Sequence, residues 1–346
     1  MKTLTKLAKS AAHIAPFQLP GMRISREILE RHISDTERVF SSFNITHDYY
    51  RSVQYVALKT VITLLMRRGQ IPTPGVIRDL LRDKVKLQDW TEGLTDVNLK
   101  KDVLTIAALS DEQFTENHAG LVAALDDFSS GELMPLYNTR YPEIILSDVL
   151  KSQKICYFQL PVMQYEFLAQ STGKLLLQSL RSAISELQVN ATEKLKSLFS
   201  VYLDDFNDYI YPGFTTLLNK SRSANIGVVF AHQSLGDLEK VGPDFKQAVL
   251  SLTNIKVIMQ SNDPISAEYF AQVVGTKTSE KTTERRRRFF LGHEDTGDQS
   301  VRKVEEYIVH PNIFKSDLSR GEGIVVIPHN HGKTVKRVQF ETVDME

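Results

Sequence analysis

A mostly apolar run of six residues, Leu198 to Leu203, stops abruptly at two adjacent carboxylates, Asp204 and Asp205. A short apolar run ending in this way suits a strand of an open α/β sheet. Four further runs have the same texture: Ile155 to Leu160, Ile226 to Ala231, Ile255 to Met259 and Gly323 to Ile327, the last followed after a turn by Val335 to Phe340. Helical patterns lie between them. The longest, Phe167 to Leu187, carries Leu176, Leu180, Ile184 and Leu187 on one face. Short β-rich runs alternating with helices predict βα units and a mainly parallel sheet over residues 141–346.

Residues 23–140 have a different texture. Val53, Val56, Ala57, Val61, Leu64 and Leu65 recur at helical spacing, and the region reads as all α. Thr73 followed by Pro74 and the run Val76, Ile77, Leu80, Leu81 marks a new helix start, and the loop 67–72 breaks the helix before it. Ser129, Ser130, Gly131, Pro135 and Pro142 form a breaker-rich connection, so a domain boundary is expected near 130–142. Residues 1–22 carry no clear assignment.

Composition narrows the class. Hydrophobic residues at 42% and charged ones at 24% are ordinary for a globular protein and exclude disordered and fibrous classes. Lys and Arg equal Asp and Glu at 42 each, so any nucleic-acid contact must be local. The single cysteine, Cys156, sits in an apolar run and is expected to be a buried, reduced thiol, which fits a cytoplasmic setting. No apolar stretch approaches the roughly twenty residues that span a bilayer, and the basic N-terminus lacks a signal-peptide core. A membrane would be met only through partners.

Three positions carry the chemistry. At the end of an α/β strand, where ligands sit beyond the carboxyl ends, Asp204 would hold a phosphate-bound Mg²⁺ through water, and Asp205 would orient the attacking water. The alternative is a pair of N-cap carboxylates after a buried strand. Gln233, after the run ending at Ala231, suits contact with a terminal phosphate, or a loop or capping amide. Arg222 suits neutralisation of transition-state charge from a neighbouring subunit, or a solvated helix end.

Their order extends into a longer set. It runs from Gln159-Leu160-Pro161 through Gly173-Lys174-Leu175, the Asp204 strand, Arg222-Ser223-Ala224-Asn225-Ile226-Gly227 and Ala231-His232-Gln233-Ser234-Leu235. It continues with Asn254-Ile255-Lys256-Val257, Asp263-Pro264, Val274-Gly275, Glu305-Glu306, Pro311 and Gly321. As a set these residues resemble the TraD/TraG-like coupling ATPases of conjugation and type IV secretion, over about residues 130–340. The resemblance implies the C-terminal part of a RecA-like P-loop NTPase motor domain, preceded by an all-α domain. It further implies a hexameric assembly with ATP sites shared between subunits, and delivery of DNA or protein to a secretion channel. Asp204 would then be the Walker B carboxylate for Mg²⁺, Asp205 and Gln233 would serve hydrolysis and phosphate sensing, and Arg222 would be the trans arginine finger. A position on the cytoplasmic face of the inner membrane, reached through secretion partners, follows from the same resemblance.

Two departures qualify it. Asp205 stands where the family usually has Glu, and no G-x-x-x-x-G-K-[ST] occurs in the sequence. Gly173-Lys174 is a decoy, because Leu168 stands where the first glycine belongs and Leu175 replaces the hydroxyl. ATP and Mg²⁺ are therefore expected only if another segment or chain supplies the phosphate loop, and the isolated chain is expected to hydrolyse little or no ATP. A non-catalytic adaptor of the secretion system, or a DNA translocase outside secretion, are the alternative functions. Arg285 to Arg288 read as a solvated loop that would meet DNA phosphates only if it lined a channel. His329 to Gly332 read as a hairpin turn, without the third ligand a zinc site needs.

Overall fold

The structure is a computed structural model describing residues 48–131, 134–139, 142–189, 195–289 and 292–341. The expected segment 1–22 and the start of the helical region lie outside the described residues. Two compact units follow one another, with the division after Ala231.

The first unit begins with helices whose starts are written in the sequence. Helix α1 (Asp48–Arg67) buries Leu58, Val61, Leu64 and Leu65, while Val56 of the same expected stripe is 53% exposed. Thr73, Asp83, Asp96 and Ser110 then cap α2 (Pro74–Arg82), α3 (Lys84–Asp89), α4 (Val97–Ala107) and α5 (Asp111–Ser129) in turn. Each accepts hydrogen bonds from backbone N–H groups that the first turn leaves without helical partners. Arg78 of α2 reaches Asp126 of α5 at 2.9 Å. Their shared core holds Ile77, Leu80, Leu121, Leu125 and Phe128.

The breaker-rich connection is pinned rather than loose. Asn138, just after the short helix α6 (Met134–Tyr137), accepts from the Gly75 N–H at 2.6 Å and donates to the Phe128 carbonyl at 2.7 Å. Tyr137 and Thr172 share a 2.8 Å hydroxyl hydrogen bond. Helix α7 (Leu146–Ser152) and the long helix α8 (Glu166–Val189) follow, and Leu168 and Leu175 of α8 join the core of α1–α5. Among the described residues no helix is long and apolar enough to cross a membrane.

Strand β1 (Phe199–Leu203) pairs in parallel with β2 (Ile226–Phe230), joined through α9 (Phe214–Ser221) as the βα pattern predicts. The run Ile155 to Leu160 is not a strand. β1 and β2 form a sheet of two among the described residues, and that run pairs with neither; Ile155 is 87% exposed and Tyr157 76%. Cys156, expected to be buried, is a half-buried free thiol whose pKa is raised by its partial burial.

The second unit contains α10 (Leu235–Glu239), α11 (Pro243–Leu252) and α12 (Pro264–Val274), the last packed on a three-stranded sheet. Its strands β3 (Lys256–Ile258), β6 (Glu322–His329) and β7 (Gly332–Gln339) lie in the order β3-β6-β7. Pairing here is antiparallel, so parallel pairing is confined to β1 and β2 among the described residues. For β6 and β7 the cause is local: Asn330-His331 close a two-residue hairpin with Gly332 at φ 137°, a conformation glycine adopts without strain. Ala267, Ala271, Val274, Phe314, Ile324 and Val326 form the core. The expected loop at Arg285–Arg288 is strand instead, part of a long antiparallel ribbon of β4 (Thr276–Phe289) and β5 (Gly292–Tyr307).

One buried ionisable group links the helical core to pH. His118 of α5 is 1% exposed, edge-on to Phe114 at 4.6 Å, and burial lowers its pKa from 6.5 to about 4. A depressed histidine pKa means that the folded state binds the proton less readily than the unfolded one. The stability contributed by the neutral ring is therefore complete above pH 6.5 and is lost as pH falls toward 4, to the extent of about 3 kcal/mol. Urea midpoints measured at pH 7 and pH 4 should fall less with acid in His118→Leu than in the parent; equal slopes would remove His118 as the cause.

Candidate functional site

The carboxyl end of β1 is a bracket of two backbone hydrogen bonds. Ala231 N–H donates to the Leu203 carbonyl at 3.0 Å, and Phe206 N–H donates to the Ala231 carbonyl at 3.0 Å. Asp204 and Asp205 lie between these anchors and are held out as an exposed turn. Asp205 adopts left-handed backbone angles, φ 44° and ψ 47°, which non-glycine residues rarely take and Asp tolerates better than most. Asp204 Oδ1 accepts the Asp205 N–H at 3.1 Å.

Aromatic packing forces this turn. Phe206 is fully buried, with ring centroids 4.3 Å from Phe214, 5.1 Å from Phe230 and 5.9 Å from Tyr209. The chain must reverse within two residues to send Phe206 inward. Tyr209 finishes the bracket: its hydroxyl donates to the Asp204 carbonyl at 2.6 Å, and its ring lies on Gly173 of α8. A Cβ at Gly173 would stand 2.6 Å from the Tyr209 Cβ. Burial first, then the charges of Asp204, Asp205 and Asp208, push the Tyr209 pKa up to about 12, so the hydroxyl remains a donor at neutral pH.

The other expected residues are placed differently. Arg222 is exposed at the start of the turn Arg222–Ala224, which precedes β2. Phe199 pairs with Ile226 and Leu203 with Phe230, so Arg222 lies at the opposite end of the parallel pair from Asp204, at least about 13 Å of strand away. Within one subunit the two do not meet. Gln233 is exposed and belongs to the second unit. It is not the cap of α10, because Ser234 and Asp237 form that capping box; the Ser234 N–H donates to Asp237 at 3.0 Å.

Gly173 and Lys174 lie inside α8, where the backbone N–H groups are committed to the helix, so they form no phosphate cradle. Partial burial lowers the Lys174 pKa. Among the described residues no cluster of three His, Cys, Asp or Glu is positioned to hold a metal ion. The exposed, hard oxygen donors of Asp204 and Asp205 suit a Mg²⁺ that keeps most of its water. Tyr209 and Phe206 were not singled out in the sequence, and Gly173 was read only as a phosphate-loop decoy; the aromatic spacing Phe206, Tyr209, Tyr211, Phe214 behind the carboxylates is the signal that marks the two rings.

A long helix, a parallel strand pair and a following antiparallel sheet give a mixed α/β fold of the RecA-like kind. Solved structures of that fold align over nearly the whole chain. The bacterial conjugative coupling protein TrwBdeltaN70, in its unbound monoclinic form, matches with a TM-score of 0.64 and 13% identity, covering 95% of this chain and 73% of its own. VirB4 of Thermoanaerobacter pseudethanolicus matches with a TM-score of 0.51 and 14% identity, covering 96% of this chain and 74% of its own. Residues 199–315 match the family described as the TraM recognition site of TraD and TraG. Over 154 residues the chain is 21% identical to the type 4 coupling protein DotL of Legionella pneumophila, which is 40% of this chain and 20% of DotL. Over these residues the chain is similar to type IV secretion coupling proteins. It matches only a fifth of the length of that curated relative.

Proposed function

We propose that this chain is a component of a type IV coupling ATPase that delivers DNA or protein substrates to a secretion channel. The observation that carries the proposal is the exposed carboxylate pair, held beyond the carboxyl end of a parallel strand on a rigid aromatic base. Asp204, its carbonyl held by the Tyr209 hydroxyl, would be the carboxylate that holds Mg²⁺. Asp205 orients the attacking water, with the short reach of an aspartate. Gln233 contacts the terminal phosphate. Arg222, at the far end of the strands from its own Asp204, reaches the site of a neighbouring subunit in a hexamer. When bound, ATP with Mg²⁺ would supply the phosphoanhydride bond whose hydrolysis drives transfer, and a loop from another segment or chain would hold its phosphates. The assembly works at the cytoplasmic face of the inner membrane through its secretion partners.

The placement of Gly173-Lys174 inside a helix favours a second reading, an adaptor that assembles with secretion components without turning over ATP itself. One experiment separates them. Deleting the chain in its native host is expected to reduce substrate transfer, and the parent chain to restore it. The Asp204→Ala chain is expected to leave transfer reduced by about a hundredfold, the scale of losing one charge-stabilising contact at a reaction centre. Full restoration by Asp204→Ala would leave only the adaptor; transfer unaffected by deletion would remove the coupling role altogether.

A further inference from the structure

The β4–β5 ribbon is long and forms a sheet of two strands among the described residues. Its register runs from Thr276 opposite Tyr307 to Phe289 opposite Gly292, about 45 Å of strand, with an irregularity between Glu284 and Arg286. The base is built into the second unit: Tyr307 packs against its core and donates a hydrogen bond to Glu268, and the Ile308 N–H donates to the Gly275 carbonyl at 2.9 Å. Beyond the base, neither strand has another strand beside it among the described residues. Each therefore offers a row of backbone N–H and C=O groups along its outer edge. Long open edges of this kind pair with other strands unless something prevents it.

Charge decides which pairing is permitted. β4 carries six basic residues against two acidic ones, and β5 five acidic against two basic. Setting β4 against the β4 of another copy would bring two Arg285–Arg288 runs together. Setting β5 against β5 would bring together two strands holding Glu294 and Asp295. Only β4 against β5 places unlike charges side by side, as the ribbon itself does where Arg286 lies opposite Asp295 and Arg287 opposite Glu294. A rotation about an axis along the ribbon keeps that pairing antiparallel. The contact is head-to-tail, and it closes into a ring when the rotation closes.

We propose that the β4 edge of one copy pairs with the β5 edge of the next, so that the ribbons of successive copies form a continuous sheet at the centre of a ring. The ribbon taken whole is close to electrically balanced, which favours a second copy over a nucleic acid as its partner. The inference deepens the multisubunit motor reading, yet self-association is measured without nucleotide or transfer, so either can fail alone.

The test compares the full chain with one in which Glu280 and Lys303, opposed in the ribbon, are joined by Asn-Gly in place of residues 281–302. Sedimentation of the parent should show oligomers that weaken at least about tenfold between low and high salt, as screening of edge charges requires. The shortened chain should be monomeric with an unchanged circular dichroism melt of its helices. A parent that stays monomeric at low salt, or a shortened chain that still assembles, overturns the proposal. A second variant exchanges charge across the ribbon, with Arg286→Glu, Arg287→Glu, Glu294→Arg and Asp295→Arg. It should assemble with itself and be excluded at least about tenfold from parent oligomers; free mixing overturns the proposal. Loss of nucleic-acid binding on shortening, with self-association unchanged, overturns it too and assigns the ribbon to nucleic acid.

Discussion

Phe206→Ala is expected to lower the stability of the first unit by about 3–5 kcal/mol, the cost of emptying a fully buried aromatic site. The cavity would open at the centre of Phe214, Phe230 and Tyr209, so the edge and tilted contacts at 4.3, 5.1 and 5.9 Å are lost with the transfer energy. Most domains have only about 5–15 kcal/mol in total, so this single truncation removes a large fraction. The consequence for the site is as large. Asp205 is held at φ 44° because Phe206 must turn inward, and that strain of about 1–3 kcal/mol is tolerated only while the buried ring offsets it. Without the ring, the Asp204–Asp205 turn should relax and its protection from hydrogen exchange should fall. Urea titration followed by circular dichroism and by the fluorescence of Trp90, the single tryptophan, provides the measurement. Trp90 lies on the helical side of the unit, so separated transitions would reveal local loss of the sheet, and coincident ones a loss shared by the whole unit. A change under about 1 kcal/mol would show that the cluster is not what holds the turn.

Gly173→Ala should show a sign that depends on its neighbour. In an open helix interior the change gains up to about 1 kcal/mol from propensity. Here the new Cβ would sit 2.6 and 2.7 Å from Cβ and Cγ of Tyr209, atoms close to the backbone that cannot swing away. Overpacking of this kind costs about 1–3 kcal/mol, so the substitution is expected to destabilise. In a Tyr209→Gly background both atoms are gone, leaving only the movable Leu160 Cδ1 at 3.2 Å, and the same Gly173→Ala change should stabilise. The double-mutant cycle therefore reverses sign, and it does so at the ring that anchors the Asp204 carbonyl. If Gly173→Ala stabilises the parent chain as well, Tyr209 does not lie on α8 as described.

Much of this architecture was legible beforehand because local rules and tertiary demands coincide. Thr73-Pro74 announces α2 in sequence, and the structure uses Thr73 as its cap, since an unsatisfied first turn selects a side-chain acceptor in any context. Phe199–Leu203 and Ile226–Phe230 pair as their apolar runs and the helix between them require. Ile155–Leu160 has the same composition and is unpaired, because strand formation depends on a neighbouring strand as well as on the run itself. The Arg285–Arg288 segment failed in the opposite direction. Charge suggested a solvated loop, whereas pairing with a complementary acidic strand makes it a ribbon.

For the candidate site, sequence alone determined the residue types and their order: two carboxylates after an apolar strand, an arginine before the next strand and a glutamine after it. Those follow from short-range patterning, which any chain displays before it folds. Only the tertiary structure decided that Asp204 and Asp205 are thrust out on an aromatic bracket, that Arg222 stands at the opposite end of the strands, and that Gly173 is a seat for Tyr209 rather than a phosphate loop. Each of those depends on contacts between segments dozens of residues apart, where ring packing, strand register and the space left by a missing Cβ set the geometry.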